Sequence, residues 1–430
     1  MRDSFLIFGS PMIGDEEIAE VVDSLRSGWV GTGPKVQRFE GMIRDYVGAG
    51  ECRCVSSCTA ALILALRVLG IGQGDEVLVP AMTFVASANA VEHAGATPVL
   101  VDAVPGTGLI DLDAAEAAIT SRTRAIIPVH HAGRPVEMDR LNALRDRHGL
   151  LVVEDAAHAI GAERRGRRVG AFGNVAAFSF YVTKNISTIE GGALVTEDVE
   201  VAARVERLAL HGLSVGAWQR FSDVGFRHYE VVEPGYKYNM TDVQAAIGLH
   251  QLPRLDGWID RRAELWDRYD ELLAGLPIRT PSPPEPGTRH ARHLYQVLVE
   301  ADAPLTRDQL LDGLTARRIG TGVHYRGVHL HPFYRDTYGL VGRPARSNAG
   351  ASRSRTKASK SSCESDRLMI RRPASVGPAI RSRPPAGGLF SRSSAASIAA
   401  SCSAPTPGAT DITTTDMVVL PEFGKSGAAV

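Results

Sequence analysis

Short apolar runs alternate with helical patterns along residues 50–200. The runs EVLVP, PVLVD, RAIIPVH and LLVVED are rich in Val, Ile and Leu, which is typical of strands buried on both faces. Between them, the segments TAALILALRVLG, ASANAVEHAG, DLDAAEAAI and MDRLNALRDRHG have the apolar spacing of helices. Strands that alternate with helices predict a mostly parallel α/β sheet, and ligands bind such sheets at the carboxyl ends of the strands.

Beyond residue 240 the pattern changes to a long helix and then to a smaller group of elements. Residues 240–275 have a helical pattern, and a Pro-rich linker, PSPPEPG, occupies residues 281–287. HLYQVLVE and TGVHY then predict strands, with a helix predicted at TRDQLLDGLTARRIG between them. We therefore predict a large domain with an N-terminal arm over residues 1–250 and a small α+β domain over residues 251–340.

The last 90 residues differ in composition from the rest of the chain. Residues 341–430 carry 13 Lys and Arg against 5 Asp and Glu, whereas residues 1–340 carry 35 against 43. Ser, Arg, Ala, Pro and Gly dominate this segment, and no helical or strand period lasts through it. Because it has too few apolar residues to offset its ordering entropy, we predict a disordered tail over residues 341–430.

The composition also argues against several classes of protein. No run of about 18 apolar residues occurs, and the N-terminal residues lead directly into acidic ones, so neither a membrane span nor a signal peptide is predicted. Five scattered cysteines make no disulfide framework, and Cys52, Cys54 and Cys58 lack the ligand spacing of a structural zinc site. Residues 1–340 carry more acidic than basic side chains, so they lack the basic surface with which proteins bind nucleic acid. We expect a cytoplasmic protein that binds no metal, membrane or nucleic acid.

One lysine lies directly after a predicted buried strand. In GNVAAFSFYVTKNISTIEGGALVT the strand AAFSF leads into a polar loop that holds Lys184, and the pair Gly191–Gly192 precedes the next apolar run. Desolvation at such a place lowers the pKa of a lysine and frees its amine as a nucleophile, which forms Schiff bases with carbonyls. Taken alone, a lysine in a loop is more often a solvated surface residue.

A carboxylate occupies the end of another predicted strand. Asp155 terminates the apolar run of LLVVEDAAHAIGA, about 30 residues before Lys184. A carboxylate there can pair with a protonated pyridine nitrogen, which makes the ring an electron sink. The alternative, a helix N-cap, is equally consistent with the residue alone.

Two further segments complete a set of four. Small polar residues open the helix of VSSCTAALILAL, where free backbone N–H groups and the helix dipole suit a phosphate, although an ordinary helix N-cap is the commoner role of such residues. In AMTFVASANAV, Phe84 follows a strand and could stack on a planar cofactor, although core packing is the commoner role of such a residue. A phosphate cup, a stacking aromatic, a carboxylate and a lysine on one α/β sheet are what a pyridoxal phosphate site requires.

These residues lie within stretches that resemble one family. Residues 5–340 are similar to the DegT/DnrJ/StrS sugar aminotransferases, which have the aspartate aminotransferase fold. The similar stretches are GWVGTGPKVQRFE, EDAAHAIGA, FSFYVTKNISTIEGGALVT, LHGL, PGYKYNMTDVQAAIGLHQL and RRIGTGVHYRGVHLHPFY. EDAAHAIGA and GYKYNMTD most resemble the branch that aminates C4 of UDP-4-keto sugars. The resemblance implies a pyridoxal-phosphate-dependent aminotransferase of fold type I.

The resemblance also implies roles for individual residues. Lys184 would hold the cofactor as a Schiff base and act as general acid and base, and Asp155 would pair with the pyridine nitrogen. His158 would lie near the phenolic oxygen of the ring, and Phe84 would stack on the ring. The phosphate would be bound by Ser57, Cys58, Thr59 and Ser179.

Substrates and partners follow from the same resemblance. It implies a nucleotide-linked keto sugar as acceptor, L-glutamate as amino donor, and a homodimer with shared active sites. We expect Lys237 of PGYKYN, where many relatives have Asn, to reach into the neighbouring site as a point charge for phosphate. His324 and Tyr325 match a segment that approaches the substrate in relatives. The choice between C3 and C4 amination stays open.

The C-terminal segment departs from the family. In relatives a strand and a final helix complete the small domain after the counterpart of HPFYRDTYGL, and nothing after Leu340 resembles them. The small domain is therefore expected to be incomplete, and residues 341–430 to be a natural extension or the product of a frameshift. An alternative function follows: a catalytically impaired pyridoxal-phosphate-binding or regulatory protein. A sugar 3-dehydratase on the same fold is disfavoured, because those relatives carry His in place of the lysine.

Overall fold

The computed structural model describes residues 3–214 and 228–340, together with the backbone of residues 417–420. The chain divides into two compact units, of residues 1–331 with 414–430 and of residues 332–413. The strands and sheets described below belong to the first unit.

A seven-stranded sheet lies at the centre of the first unit. Residues 3–200 of the chain form nine strands, of which β6 and β7 are a short pair outside this sheet. They are β1 (Glu51–Val55), β2 (Glu76–Pro80), β3 (Thr97–Val101), β4 (Thr123–Ile126), β5 (Leu151–Asp155), β6 (Glu163–Arg164), β7 (Arg167–Arg168), β8 (Val175–Ser179) and β9 (Gly192–Thr196). The large sheet has the order β1-β9-β8-β5-β4-β2-β3. Strand β9 runs antiparallel to both of its neighbours, and the other six strands are parallel to one another. The predicted α/β class with a mostly parallel sheet is confirmed.

Helices cover the sheet and continue beyond it. The helices of the first unit are α1 (Asp15–Ser27), α2 (Pro34–Val47), α3 (Cys58–Val68), α4 (Val85–His93), α5 (Leu112–Ala117), α6 (Met138–His148), α7 (Val199–Ala209), α8 (Asp242–Gln251), α9 (Leu255–Leu273) and α10 (Arg307–Ala316). Helix α3 is buried almost all round, as its continuous apolar sequence requires, and it packs against β5, β8 and β9. This packing fixes the N-terminus of α3 beside the ends of those strands.

The long helix predicted over residues 240–275 has an interruption. A 3₁₀ turn at Leu252–Arg254 separates α8 from α9. Pro253 lies in this turn, and because proline has no backbone N–H the α-helical hydrogen-bond ladder cannot pass through it unchanged. The predicted helical character of the segment is otherwise confirmed.

A second, smaller layer follows α9. Its strands are β10 (Ile278–Arg279), β12 (Tyr295–Val299) and β13 (Met417–Leu420), whereas β11 (Thr288–Arg289) pairs with β6 in a separate sheet of order β11-β6-β7. Strand β12 pairs antiparallel with β10 on one side and with β13 on the other. Trp266 of α9 and the leucines of α10 pack on β12. Strand β13 lies within residues 341–430, the segment predicted as a disordered or frameshifted tail, and the rest of that segment is outside the described residues.

The strand predicted at TGVHY is wrong. Residues 321–325 have no strand assignment, and the N-terminal arm takes up the neighbouring backbone groups instead. Leu6 N donates to Arg318 O and Gly320 N donates to Leu6 O, at 2.8 and 2.9 Å. Leu6 thus pairs with the residues just before this segment, and within the segment only Gly322 is assigned to a β-bridge.

The described part of the second unit is short. It contains helix α11 (Pro332–Tyr338), and Leu340 N donates to Arg335 O just after this helix. Across the described ranges of both units, none of the helices has the length and apolar character that crossing a membrane requires. The domain boundaries at residues 250 and 340 stay a prediction.

Candidate active site

Two neighbouring parallel strands bring the main candidate residues together. Asp155 is the last residue of β5 and Ser179 the last residue of β8, and these strands pair in parallel, so both side chains lie at the same edge of the sheet. The loop after β8 turns back at once, with Lys184 N donating to Tyr181 O at 2.9 Å, and carries Lys184 to that edge. This is the edge at which open α/β sheets bind ligands.

The amine of Lys184 is prepared for nucleophilic chemistry. Burial lowers the pKa of Lys184 to about 8, while its neighbours Asp155 and Cys58 act in the opposite direction. Burial also raises the pKa of the Cys58 thiol well above its ordinary value, so Cys58 is uncharged at neutral pH and Asp155 is the charged neighbour. About 9% of Lys184 is thus an uncharged amine at pH 7, and this is the form in which a lysine forms a Schiff base.

Asp155 is buried and held in place by two donors. Its Oδ2 accepts from Ser87 Oγ at 2.7 Å and its Oδ1 from Ala157 N at 3.2 Å. Burial raises the pKa of Asp155, against the effects of these two hydrogen bonds and of Lys184. No α-helix begins at Asp155 in the structure, so the alternative role as a helix N-cap does not apply. A cationic nitrogen placed beside the carboxylate would stabilise its charged form.

His158 has a defined tautomer and a defined partner. Ala132 N donates to Nδ1 of His158 at 3.3 Å, and Nε2 of His158 lies 3.0 Å from the hydroxyl of Tyr325. Burial holds the pKa of His158 well below its usual range, so the ring is neutral and its proton must be on Nε2. His158 therefore donates a hydrogen bond to the hydroxyl oxygen of Tyr325, and Tyr325 can donate its own hydroxyl proton to another acceptor.

Further histidines lie close to Lys184. The rings of His158 and His293 are 4.4 Å apart, and Nδ1 of His293 lies 2.8 Å from Asn185 Oδ1. Burial lowers the pKa of His131 and of His324 to about 4 and that of His293 well below its usual range. These imidazoles are neutral at pH 7 and give the site hydrogen-bonding capacity without added positive charge. Among the described residues, no cluster of His, Cys, Asp and Glu has the arrangement of a metal site.

Phe84 lies at the surface of the site and not in the core. It is the N-cap residue of α4, its side chain is 56% exposed, and its ring lies 5.8 Å from that of Tyr325. A large aromatic side chain held open to solvent at this edge of the sheet is suited to cover a planar ligand.

The predicted phosphate cup is the N-terminus of α3. Ser57 is the N-cap, and its Oγ accepts from Ala60 N at 3.1 Å. The Cys58 side chain turns inward, with Sγ 3.4 Å from Ala177 O, so Cys58 can offer a ligand its backbone N–H only. A Cβ added at Gly192 would lie 2.5 Å from Cys58 N and closer still to Ser57 C. Glycine is therefore required where β9 passes this turn. Thr59 follows in the first turn of α3.

Lys237 lies on an exposed segment that runs beside the same turn. Its amine donates to Asn239 Oδ1, and the backbone of this segment pairs with that of residues 55–56, where Ser56 N donates to Tyr238 O at 2.6 Å. The neighbouring-site role predicted for Lys237 stays a prediction. His324 is partly buried, and its ring lies 5.7 Å from that of Phe8 in the N-terminal arm.

Sequence reasoning missed two residues that shape the site. Ser87 supports Asp155, and Gly192 allows the close approach at the α3 N-terminus. The Gly191–Gly192 pair was visible as a signal, whereas nothing in the sequence marks Ser87. His130, a histidine that the sequence analysis did not assign to the site, is structural. Its Nε2 lies 3.0 Å from Glu154 Oε2, and both side chains are fully buried.

Comparisons with known proteins identify the family. A sequence profile of the DegT/DnrJ/EryC1/StrS aminotransferase family matches residues 11–354. The chain belongs to this family. It is 48% identical over 341 residues to the spore coat polysaccharide biosynthesis protein SpsC of Bacillus subtilis, covering 79% of this chain and 87% of that protein.

Solved structures agree with this assignment. The PLP form of Spr1654 from Streptococcus pneumoniae, described as a sugar aminotransferase, superposes with a TM-score of 0.71 and 37% identity, covering 77% of this chain and 88% of that one. PseC of Helicobacter pylori, an aminotransferase of pseudoaminic acid biosynthesis, superposes with a TM-score of 0.74 and 28% identity over 80% of this chain and 90% of its own. The fold type, the cofactor pyridoxal phosphate and the enzyme class are thereby established.

The residues at the sheet edge fit this cofactor. The exposed face of Phe84, the glycine-lined turn at the start of α3, the buried carboxylate of Asp155 and the amine of Lys184 match its ring, phosphate, ring nitrogen and carbonyl carbon. The predicted roles of the individual side chains are consistent with this geometry and stay predictions.

Proposed function

We propose that this aminotransferase moves the amino group of L-glutamate to a nucleotide-linked keto sugar, with a UDP-linked 4-keto sugar as the leading acceptor. The observation that carries the proposal is the partly buried Lys184 with its lowered pKa, placed beside Asp155 in a chain of a sugar aminotransferase family. The polysaccharide biosynthesis role of SpsC and the pseudoaminic acid biosynthesis role of PseC support an acceptor destined for a polysaccharide or another complex carbohydrate.

Each residue of the site would have a separate role in such a transfer. Bound pyridoxal phosphate supplies the carbonyl that takes up and returns the amino group and the ring that stores the electron pair. Lys184 Nζ, once free, would accept the proton from the α-carbon of glutamate and pass it to the cofactor carbon that takes up the amino group; in the second half it would move a proton in the reverse direction, from that carbon to the sugar carbon that is aminated. Asp155 would accept a hydrogen bond from the protonated ring nitrogen, and Ser87 holds Asp155 in position.

The substrate side of the site is formed by Tyr325 and His324. Because His158 donates to Tyr325, the hydroxyl proton of Tyr325 is available for an oxygen of the sugar. Burial raises the pKa of Tyr325, so this proton remains in place throughout the working pH range.

We also propose that the enzyme is a homodimer whose active sites contain Lys237 of the partner subunit. The exposure of Lys237 supports this arrangement, as do exposed apolar side chains of the N-terminal region such as Trp29 and Val30. The cytoplasmic location expected from the cysteine content stays a prediction.

Mixing two inactive variants tests the shared site. Lys184→Ala and Lys237→Ala subunits, unfolded together and refolded, would form mixed dimers in which one of the two sites has both lysines. Activity should return to about a quarter of the wild-type value, because about half of the dimers are mixed and each has one intact site. Mixtures that stay inactive, while each variant alone forms dimers, would show that Lys237 serves the site of its own subunit.

An absorbance spectrum tests the reaction and its main alternative. Protein loaded with pyridoxal phosphate should show a band near ~420 nm that moves toward ~330 nm when glutamate is added. A band that forms and does not respond to glutamate or to other amino donors would instead favour the impaired or regulatory cofactor-binding protein. Absence of the band in folded protein would refute the role of Lys184.

A further inference from the structure

A small cavity adjoins Lys184 on the side of the N-terminal arm. It has a volume of about 60 Å³ and is lined by the arm, the lysine loop, α9 and the start of β12. The arm is pressed against the lysine loop here, since a Cβ at Gly9 would lie 2.8 Å from Thr183 Cγ2. The cavity is thus a defined compartment next to the reactive amine.

The lining separates into a cationic side and an aromatic side. Arg262 supplies positive charge, and Arg262 and Lys184 both lower the pKa of His293, which places both of them close to that ring. Trp266 and Tyr269 supply the aromatic surface. No carboxylate is among the residues that line the cavity in the described part of the chain.

Size and charge together select a ligand class. A water molecule needs about 10–15 Å³ by this measure of volume, so the cavity has room for about four water-sized groups. That space suits one carboxylate and is too small for a hexose or a nucleotide. A guanidinium recognises a carboxylate through paired N–H donors, and its five donors allow it to keep other partners at the same time.

We propose that this cavity binds the α-carboxylate of the amino donor, with Arg262 as the residue that recognises it. The inference rests on the proposed function, because it requires a donor amino acid that reacts beside Lys184. It explains how one site serves two chemically different substrates. The amino acid extends toward the arm and α9, and the sugar contacts Tyr325.

The first measurement is binding without turnover. α-Methylglutamate has no α-hydrogen, so its dissociation constant for the cofactor-loaded enzyme can be measured by calorimetry. Arg262→Gln should weaken its binding by about 10- to 100-fold, the loss expected when a charge-assisted hydrogen bond to a carboxylate is removed. Arg262→Lys, which keeps the charge and loses the paired donors, should lie between this variant and the wild type.

Arg261→Gln is the matched control. Arg261 is the preceding residue of α9, and its side chain is 66% exposed and paired with Glu264 on the surface. This variant should bind α-methylglutamate as the wild type does. A second probe is Leu265→Phe, which narrows the cavity without removing a charge and should also weaken binding.

The kinetic readout separates this inference from the proposed function. Arg262→Gln should raise the KM for glutamate and for 2-oxoglutarate and leave that for the keto sugar unchanged. If Arg262→Gln impaired both half-reactions equally, or left the binding of α-methylglutamate unchanged, the carboxylate site would be overturned and the proposed function would stand. Selective loss of α-methylglutamate binding in an enzyme that does not transaminate would support the cavity and overturn the proposed function.

Discussion

The lowered pKa of Lys184 predicts how the rate of cofactor uptake depends on pH. With a pKa of about 8, about 9% of the amine is neutral at pH 7, whereas at the ordinary value of 10.5 the neutral fraction would be about 0.03%. Burial therefore increases the population of the reactive form about 300-fold at this pH. The rate of Schiff-base formation should rise about tenfold per pH unit up to pH 7 and become constant above about pH 9.

Stopped-flow absorbance on the cofactor-free enzyme measures this profile. Pyridoxal phosphate is added at a series of pH values, and the rate of appearance of the bound chromophore is recorded. Nα-acetyl-lysine, measured in parallel, reports the contribution of ionisations in the cofactor itself. A rate that continues to rise with the slope of the free lysine analogue up to pH 10 would refute the desolvation of Lys184.

Two variants test the cause of the shift. Asp155→Asn removes the negative neighbour that raises the pKa of Lys184, so the midpoint of the profile should move to lower pH. Cys58→Ala should leave the midpoint unchanged, because burial keeps the Cys58 thiol uncharged over this range. A large shift in the Cys58 variant would mean that a thiolate, and not Asp155, is the charged neighbour.

Three further changes have distinct expected outcomes. Gly192→Ala should destabilise the fold by about 1–3 kcal/mol in denaturant unfolding, because the new Cβ meets the backbone of the α3 N-terminus, whereas Gly41→Ala, with open space around its Cβ in α2, should be neutral or stabilising. Phe84→Ala should weaken pyridoxal phosphate binding about 2- to 12-fold in a fluorescence titration with little effect on the melting temperature, since the ring is already 56% exposed. Glu154→Ala should cost at least about 2 kcal/mol in denaturant unfolding, because it leaves buried donors of Gly170, Gly173 and His130 unpaired, while kcat of the folded fraction stays unchanged.

The central sheet could be predicted because its strands are apolar on both faces. Residues 76–80 and 151–155 read as continuous Val- and Leu-rich runs, and their ends locate the edge where Asp155 lies. The same reasoning located Lys184, because a polar loop directly after a buried strand lies at the edge of the sheet where that strand ends. These are local properties, which a sequence shows without knowledge of the tertiary fold.

Features that depend on distant contacts could not be predicted in this way. Residues 321–325 have a strand-like composition, and their neighbours' hydrogen bonds go to Leu6 of the N-terminal arm. Ser87 supports Asp155 across 68 positions in the chain, and an isolated serine in a helix has no sequence signature of that role. His130 and His158 are both buried histidines near strand ends, and only their partners, Glu154 and Tyr325, distinguish a structural residue from a site residue.

The pKa shifts of Lys184 and Asp155 have a common cause, and together they specify what the site accepts. Burial moves each group toward its neutral form, raising the pKa of the acid and lowering that of the base. A ligand that carries a protonated ring nitrogen would stabilise the charge of Asp155, and the neutral amine of Lys184 needs an electrophilic carbon. Because pyridoxal phosphate presents both on one rigid ring, binding at one end favours the reactive geometry at the other. Asp155→Asn should therefore weaken cofactor binding as well as move the pH profile. If this variant moved the pH profile and bound the cofactor as tightly as the wild type, the proposed connection between the two groups would be refuted.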